Sequence, residues 1–227
     1  HARIRFAAHA VRIAPVSSTS RVSTMEACMK KAVLLLVCLV PVAALAAGRG
    51  CGAQVAFRWV PKDADAPSAG TVRVVDVRSA RTVQVLDGVT NHYGDDGGLF
   101  AQDLNNDGCP DLVVTSDVAP IGNTSSTVYL YDRVRGRFLF DEALSAIGNI
   151  GVDGRDPNCV TGDWKGGAED VGGERYCWRK GRLVKTSEYS VRPLYDRETG
   201  EFSCYEHIDT TYAGGRKRVR RHCTKRF

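Results

Sequence analysis

Residues 99–114 read LFAQDLNNDGCPDLVV. Asp103, Asn105 and Asp107 alternate along the chain, Gly108 follows directly, and Asp111 comes three residues later. With Asp103 as position one of a metal loop, Asn105 and Asp107 fall at positions three and five, Gly108 at the sharp turn, the Cys109 carbonyl at position seven and Asp111 at position nine. Alternate residues of a tight loop point inward, and Ca²⁺ takes roughly six to eight oxygen ligands. The set is all hard oxygen, which suits Ca²⁺ better than a transition metal, and Mg²⁺ would demand a stricter octahedron. The alternative is a run of Asx turns without an ion, but three carboxylates around one glycine repel one another unless a cation lies between them. An EF-hand would place glutamate at position 12, where Val114 stands. Val114 belongs instead to the apolar run Leu112–Val114, so a strand leaves the loop. The expected ligands are therefore Asp103, Asn105, Asp107, Cys109 and Asp111. Upstream, Asp95 and Asp96 in NHYGDDGG are expected to form a polar turn.

The rest of the chain has the same character. Val55–Val60, Thr71–Val77 and Arg81–Leu86, then Leu112–Ser116, Thr127–Tyr131, Arg137–Phe140, Arg175–Arg179, Leu183–Tyr189, Phe202–Ile208 and Arg216–Cys223, are short runs rich in β-branched or aromatic residues. Gly, Asp, Asn or Pro bounds each of them. Asp87-Gly88 is expected to end the third. No window carries a long helical period, and DEALSAIGN from Asp141 offers one helical turn or two. YDRVRGRF (131–138) and YDRETGEF (195–202) repeat one hairpin. In both, Asp opens the turn, Gly supplies the positive φ, and Phe is expected to restart the next strand facing inward. WRKGRLV from Trp178 follows the same logic through Gly181. The fold class is all-β, with meandering antiparallel hairpins in a propeller-like or barrel-like assembly and one calcium loop.

At the amino-terminal end, residues 1–28 lack a clear period and are expected to lie upstream of a start at Met29. Residues 29–46 read as a secretory signal peptide, with Lys30 and Lys31, an apolar stretch broken by Pro41, and the small-x-small site Ala44-Leu45-Ala46. A membrane anchor is the alternative, but a spanning helix needs about 20 apolar residues. Residues 47–227 then form a single β-rich calcium-binding domain, periplasmic or secreted. Cys28 and Cys38 fall before it. Cys51, Cys109, Cys159, Cys177, Cys204 and Cys223 remain, an even set that implies disulfides in an exported chain. Many pairings are open. The expected one is Cys159–Cys177 and Cys204–Cys223 between neighbouring strands, with Cys51–Cys109 by elimination.

The formal charge is +5, but six of the 31 basic and one of the 26 acidic residues lie before residue 47, so the remainder balances. Residues 216–227, RKRVRRHCTKRF, are strongly basic. They read as a solvated edge strand whose charges block aggregation; contact with an anionic envelope polymer, a membrane surface or an acidic partner is the alternative. No nucleic-acid partner is expected, since aromatic interleaving is absent. His92, His207 and His222 lie in no nucleophile or zinc motif. A hydrolase built on an Asp/Glu pair stays open, although no pair stands out. Tyr129, Tyr131, Trp164 and Trp178 are expected mostly in the core or on sheet faces.

DLNNDGCPDLVV resembles the calcium loops of FG-GAP/VCBS repeats. With IGNTSSTVYLYDRVRGRF, LSAIGN and YCWRKGRLV behind it, the chain over residues 95–190 resembles a family of periplasmic, propeller-like calcium-loop proteins. That family includes an immunity protein against a lysozyme-like effector of a type IV secretion system. The resemblance implies periplasmic location, Ca²⁺ on Asp103, Asn105, Asp107 and Asp111, no catalysis, and a protein partner of the peptidoglycan-hydrolase kind. Such inhibitors carry a Ser-Gly-x-x-Tyr loop that plugs the enzyme. The nearest match here is Ser125 to Tyr129, with Ser126 where the glycine would be, so Ser125 and Tyr129 are the expected partner-binding residues. A secreted glycan hydrolase and an adhesive envelope-binding module are the competing readings.

Overall fold

The computed structural model describes residues 50–51 and 54–227. The expected upstream region and signal peptide lie outside them. No helix among the described residues is long and apolar enough to cross a membrane. The described chain is all-β, and every strand pairing is antiparallel. Three sheets follow one another along it. The first holds β1 (Val55–Pro61), β2 (Ala69–Asp76) and β3 (Thr82–Thr90). The second holds β4 (Leu99–Gln102), β5 (Asp111–Val118), β6 (Thr124–Asp132) and β7 (Arg137–Phe140). The third holds β8 (Gly151–Val152), β9 (Cys159–Lys165), β10 (Val171–Arg179), β11 (Arg182–Tyr195), β12 (Phe202–Ala213) and β13 (Arg216–Thr224). Each is a simple meander, and each ends in two unpaired edge strands. Neither a closed barrel nor a ring of blades is present among the described residues: no sheet pairs its last strand with its first, and the sheets pack as layers on either side of the middle one.

The apolar run after the acidic loop explains the layering. A strand buried on both faces reads as continuous apolar sequence rather than as alternation. In β5, Asp111 through Thr115 are all buried. Leu112 and Val114 face the first sheet, in a core with Trp59, Val72, Val74, Leu86, Val89 and Phe138. Val113 faces the other way, in a core with Leu104, Val128, Leu144, Ile147 and Val160, against which Tyr176, Trp178 and Leu183 of the third sheet pack. The four-stranded sheet is thus the middle layer between two cores. The single helical turn α1 (Glu142–Ser145), N-capped by Asp141, lays Leu144 into the second core.

The hairpin chemistry is visible in detail. Asp132 Oδ1 accepts from the amides of Val134 and Arg135, and Asp196 Oδ1 accepts from those of Glu198 and Thr199. Gly136 and Gly200 close the two turns at φ of 64° and 72°. The Phe residues behave differently, however. Phe138 is 3% exposed in the first core, whereas Phe202 is 41% exposed, because no layer covers that end of β11–β13. Lys180 and Gly181 both have positive φ, at 51° and 73°, and join the directly paired Arg179 and Arg182 as a two-residue hairpin of type I′ sign. Asp87-Gly88 does not end a strand. Val89 pairs with Gly70 and Leu86 with Val72, so residues 87 and 88 oppose Thr71 alone. This is a bulge inside β3, and Gly88 supplies its φ of 68°.

Three disulfides close the fold. Cys159–Cys177 joins directly paired residues of β9 and β10, and Cys204–Cys223 joins β12 to β13. Cys51–Cys109, across 58 residues, fastens the segment before β1 to the acidic loop.

Candidate metal centre

The acidic loop connects β4 to β5 and is folded by its own side chains. Asp103 Oδ1 and Asn105 Oδ1 both accept from the Asp107 amide, each at 3.1 Å. Asp103 Oδ2 accepts from Gly108 N at 2.9 Å, and Asp107 Oδ1 accepts from Cys109 N at 2.8 Å. Asn106 and Gly108 take positive φ, 53° and 83°, and that turns the chain tightly enough for the alternating side chains to share donors.

Asp111 plays a different part. It is fully buried at the start of β5. Its Oδ2 accepts from Leu104 N at 2.9 Å and its Oδ1 from Tyr131 N at 2.8 Å. One carboxylate thereby joins the loop to β6. Burial pushes the Asp111 carboxyl up to about 7, the two amide donors oppose that shift, and the charges of Asp107 and Asp103 add to it.

Long-range contacts hold the loop from outside. Leu104 is fully buried in the second core, and its carbonyl accepts from Trp178 Nε1 of β10 at 2.8 Å. Arg133 Nη1 donates to the Asp107 carbonyl at 2.8 Å, and Asn106 Nδ2 donates to Asn158 Oδ1 at 2.9 Å. Cys109 is fully buried and bonded to Cys51. None of these partners could be found from the loop's own sequence.

The donor set fits a hard cation. Asp103, Asn105 and Asp107 bring five side-chain oxygens into one turn, and the Cys109 carbonyl adds another. A carboxylate or amide oxygen has two lone pairs, so an oxygen that accepts one amide hydrogen bond keeps capacity for an ion. Among the described residues one grouping of three Asp, Glu, His or Cys side chains, Asp156 with Cys159 and Cys177, has ligand atoms all within 4.8 Å of one another. Its two sulfurs are bonded to each other, which leaves no thiolate to ligate.

The remaining expected site residues fall as follows. Asp95 caps the 3-10 turn Asp96–Gly98, and Asp96 accepts from Trp59 N and Arg58, so both serve a turn tied to β1. Ser125 and Tyr129 do not sit on a loop. Both lie in β6, an inner strand paired with β5 and β7. Ser125 is exposed, but Tyr129 packs against the first core and lies edge-on to Phe140. The resemblance implied a loop there, while Thr127–Tyr131 already read as a strand; pairing on both sides carries that strand back to Thr124. His207 and His222 stack at 4.6 Å across β12 and β13.

The densest ionisable cluster was not legible in the sequence. Lys185 Nζ lies 2.5 Å from Glu174 and 3.1 Å from Glu188. The Tyr176 and Tyr212 hydroxyls donate to Glu174 and Glu188 respectively. The shift of Glu174 is the net of burial, which raises it, and the stronger sum of the Lys185 and Tyr176 hydrogen bonds, which lowers it below its usual range. The Tyr212 hydrogen bond, then Lys185, lower Glu188. A general acid needs the opposite shift, so this pair is held as ionised acceptors.

No known protein family matches the sequence, and no curated protein does. Among solved structures, the chain is similar to one described as a Xanthomonas type IV secretion system related protein. The identity is 19% over 65% of this chain and 68% of that one, with a TM-score of 0.43.

Proposed function

We propose that the protein is an exported, calcium-stabilised β-protein that acts by binding another protein, and in the narrower form by inhibiting a peptidoglycan hydrolase. The observation that carries the calcium reading is the set of five side-chain oxygens from Asp103, Asn105 and Asp107 on one tight turn. The ion would supply the positive charge that these carboxylates and buried Asp111 lack. Asp103, Asn105, Asp107, the Cys109 carbonyl and Asp111 would hold it, and Asp111 also ties the loop to the middle sheet. Export accords with three disulfides, which persist in oxidising compartments. The inhibitor reading rests on the resemblance of residues 95–190 to the calcium-loop family. It is a non-catalytic reading, and the ionised state of Glu174 and Glu188 accords with it.

Calorimetry tests the ion directly. Ca²⁺ should bind the wild type and fail to bind Asp103→Ala and Asp107→Ala. A ligand at 100 times its dissociation constant adds about 2.7 kcal/mol of stability, so melting should move upward with Ca²⁺; a melting temperature indifferent to Ca²⁺ and to chelator would overturn the structural role. For the partner, the purified protein is mixed with lysozyme-like hydrolases encoded near it. Inhibition supports the narrower claim, and absence of both binding and inhibition removes it. Turnover of peptidoglycan by the protein alone would decide for an enzyme instead.

A further inference from the structure

The basic run from Arg216 forms the outermost strand of the six-stranded sheet, β13 (Arg216–Thr224), and its two faces differ. Residues 216–223 are all exposed. Lys217 and Arg221 point to one face, where Glu188 lies 3.7 Å from Lys217 and Glu206 lies 3.3 Å from Arg221. Arg216, Arg218 and Arg220 point to the other. Among the described residues no carboxylate lies within 4.0 Å of those three. Asp209 is the direct cross-strand neighbour of Arg220, yet it makes no ion pair with it. The result is a row of three guanidinium groups at a repeat of roughly 6.8 Å, two residues of extended chain. Beside the row, the outer edge of β13 carries backbone amides and carbonyls that no strand among the described residues pairs.

We propose that the edge of β13 is a docking edge for an extended acidic segment of a partner protein. The segment adds as a seventh strand, with carboxylates at alternate positions facing Arg216, Arg218 and Arg220. Repeat and charge both match, since an extended peptide puts every second side chain on one face at the same spacing. Arginine also pairs with carboxylates in a two-pronged geometry. Basic residues on an edge deter like-charged strands, including a second copy of β13, and so leave the edge open to an acidic one. This inference stands apart from the calcium reading and from the identity of any hydrolase.

The test uses the full chain and three labelled peptides of the length of β13. One has Glu at alternate positions with Thr and Val between. The second has the same composition with its Glu residues clustered. The third is the alternating peptide with N-methyl groups on the amides that would pair. Two double variants lose the same charge: Arg218→Gln/Arg220→Gln, and Lys217→Gln/Arg221→Gln. Fluorescence anisotropy should show binding of the alternating peptide, with about tenfold losses for the clustered peptide, the N-methylated peptide and the Arg218/Arg220 variant, each corresponding to about 1.4 kcal/mol. The Lys217/Arg221 variant should bind nearly as well as wild type. Equal weakening of both variants, or equal binding of clustered peptide, heparin or anionic vesicles, would mean general attraction to polyanions and overturn the proposal. So would unchanged binding of the N-methylated peptide, or no peptide binding at low salt.

Discussion

Leu104→Ala probes the attachment of the acidic loop to the rest of the fold. The side chain is fully buried between layers, among Val113 and Val128 of the middle sheet, Leu144 and Ile147 of the α1 segment, and Val160 of the third sheet. Removing the equivalent of three methylene groups forfeits about 2.4 kcal/mol of transfer free energy. The hole then adds to that. Its walls are strands locked by ladder hydrogen bonds on both sides, and the backbone of residue 104 is itself held by Asp111 Oδ2 and Trp178 Nε1. Collapse is therefore limited, and a total of about 3–4 kcal/mol is expected. Urea unfolding with the disulfides intact measures it. At a slope of about 2 kcal/mol per molar, the midpoint should fall by roughly 1.5–2 M. Leu144→Ala empties the same core from outside the loop and should cost a similar amount. The two variants should part on calcium: Leu104→Ala should also weaken Ca²⁺ binding in calorimetry, because the loop loses its anchor, whereas Leu144→Ala should not. A midpoint change below about 0.5 M would refute the packing argument, and equal Ca²⁺ affinity in the two variants would refute the anchoring argument.

Two further outcomes concern charge and backbone strain. The Arg175 guanidinium holds the Asp153 carboxyl below its usual range, so its folded pKa is lower than its unfolded one. The stability it contributes is complete above the unfolded value of about 3.9 and is lost as pH falls through the folded one. Chemical denaturation at a series of acidic pH values should show that loss shrink in Asp153→Asn. Lys180 occupies a positive-φ turn position that asparagine tolerates better, so Lys180→Asn should raise stability by a few tenths of a kcal/mol, up to about 1, read as a higher melting temperature.

Most of the fold was legible where local chemistry and tertiary environment agree. The run from Leu112 announced a strand, which the structure covers on both faces, and both YDR hairpins carry their turn instructions within eight residues. Three strands went unread. β4 is four residues long and looked like a lead-in to the loop, and β8 has only two. β9 is interrupted by Gly162, which belongs there because a Cβ would lie 2.3 Å from Ile147 of the α1 segment. Trp164 rests on Gly172 for the same kind of reason, since a Cβ at Gly172 would lie 2.5 Å from the indole. A glycine under a distant side chain reads in sequence as a turn. The acidic loop spelled out its oxygens, because those side chains come from neighbouring residues. Its supports at Trp178, Arg133 and Asn158 are decided by how sheets stack, and no local pattern encodes them. Asp111 falls between the two cases: its carboxylate was evident, but its two amide donors come from the loop after β4 and from β6.

The central strand of that sheet has a bearing on how the molecule opens. β5 serves as floor for one core and ceiling for the other, so neither core can melt without stripping a face from the strand that supports the second. The three layers are thereby joined into one cooperative unit, even though each sheet is drawn from its own stretch of chain. The hairpin end of β12 and β13, away from the Cys204–Cys223 disulfide, has no such double duty. Fraying there costs only local pairing and, by this logic, is a low-energy excursion that leaves the stack intact.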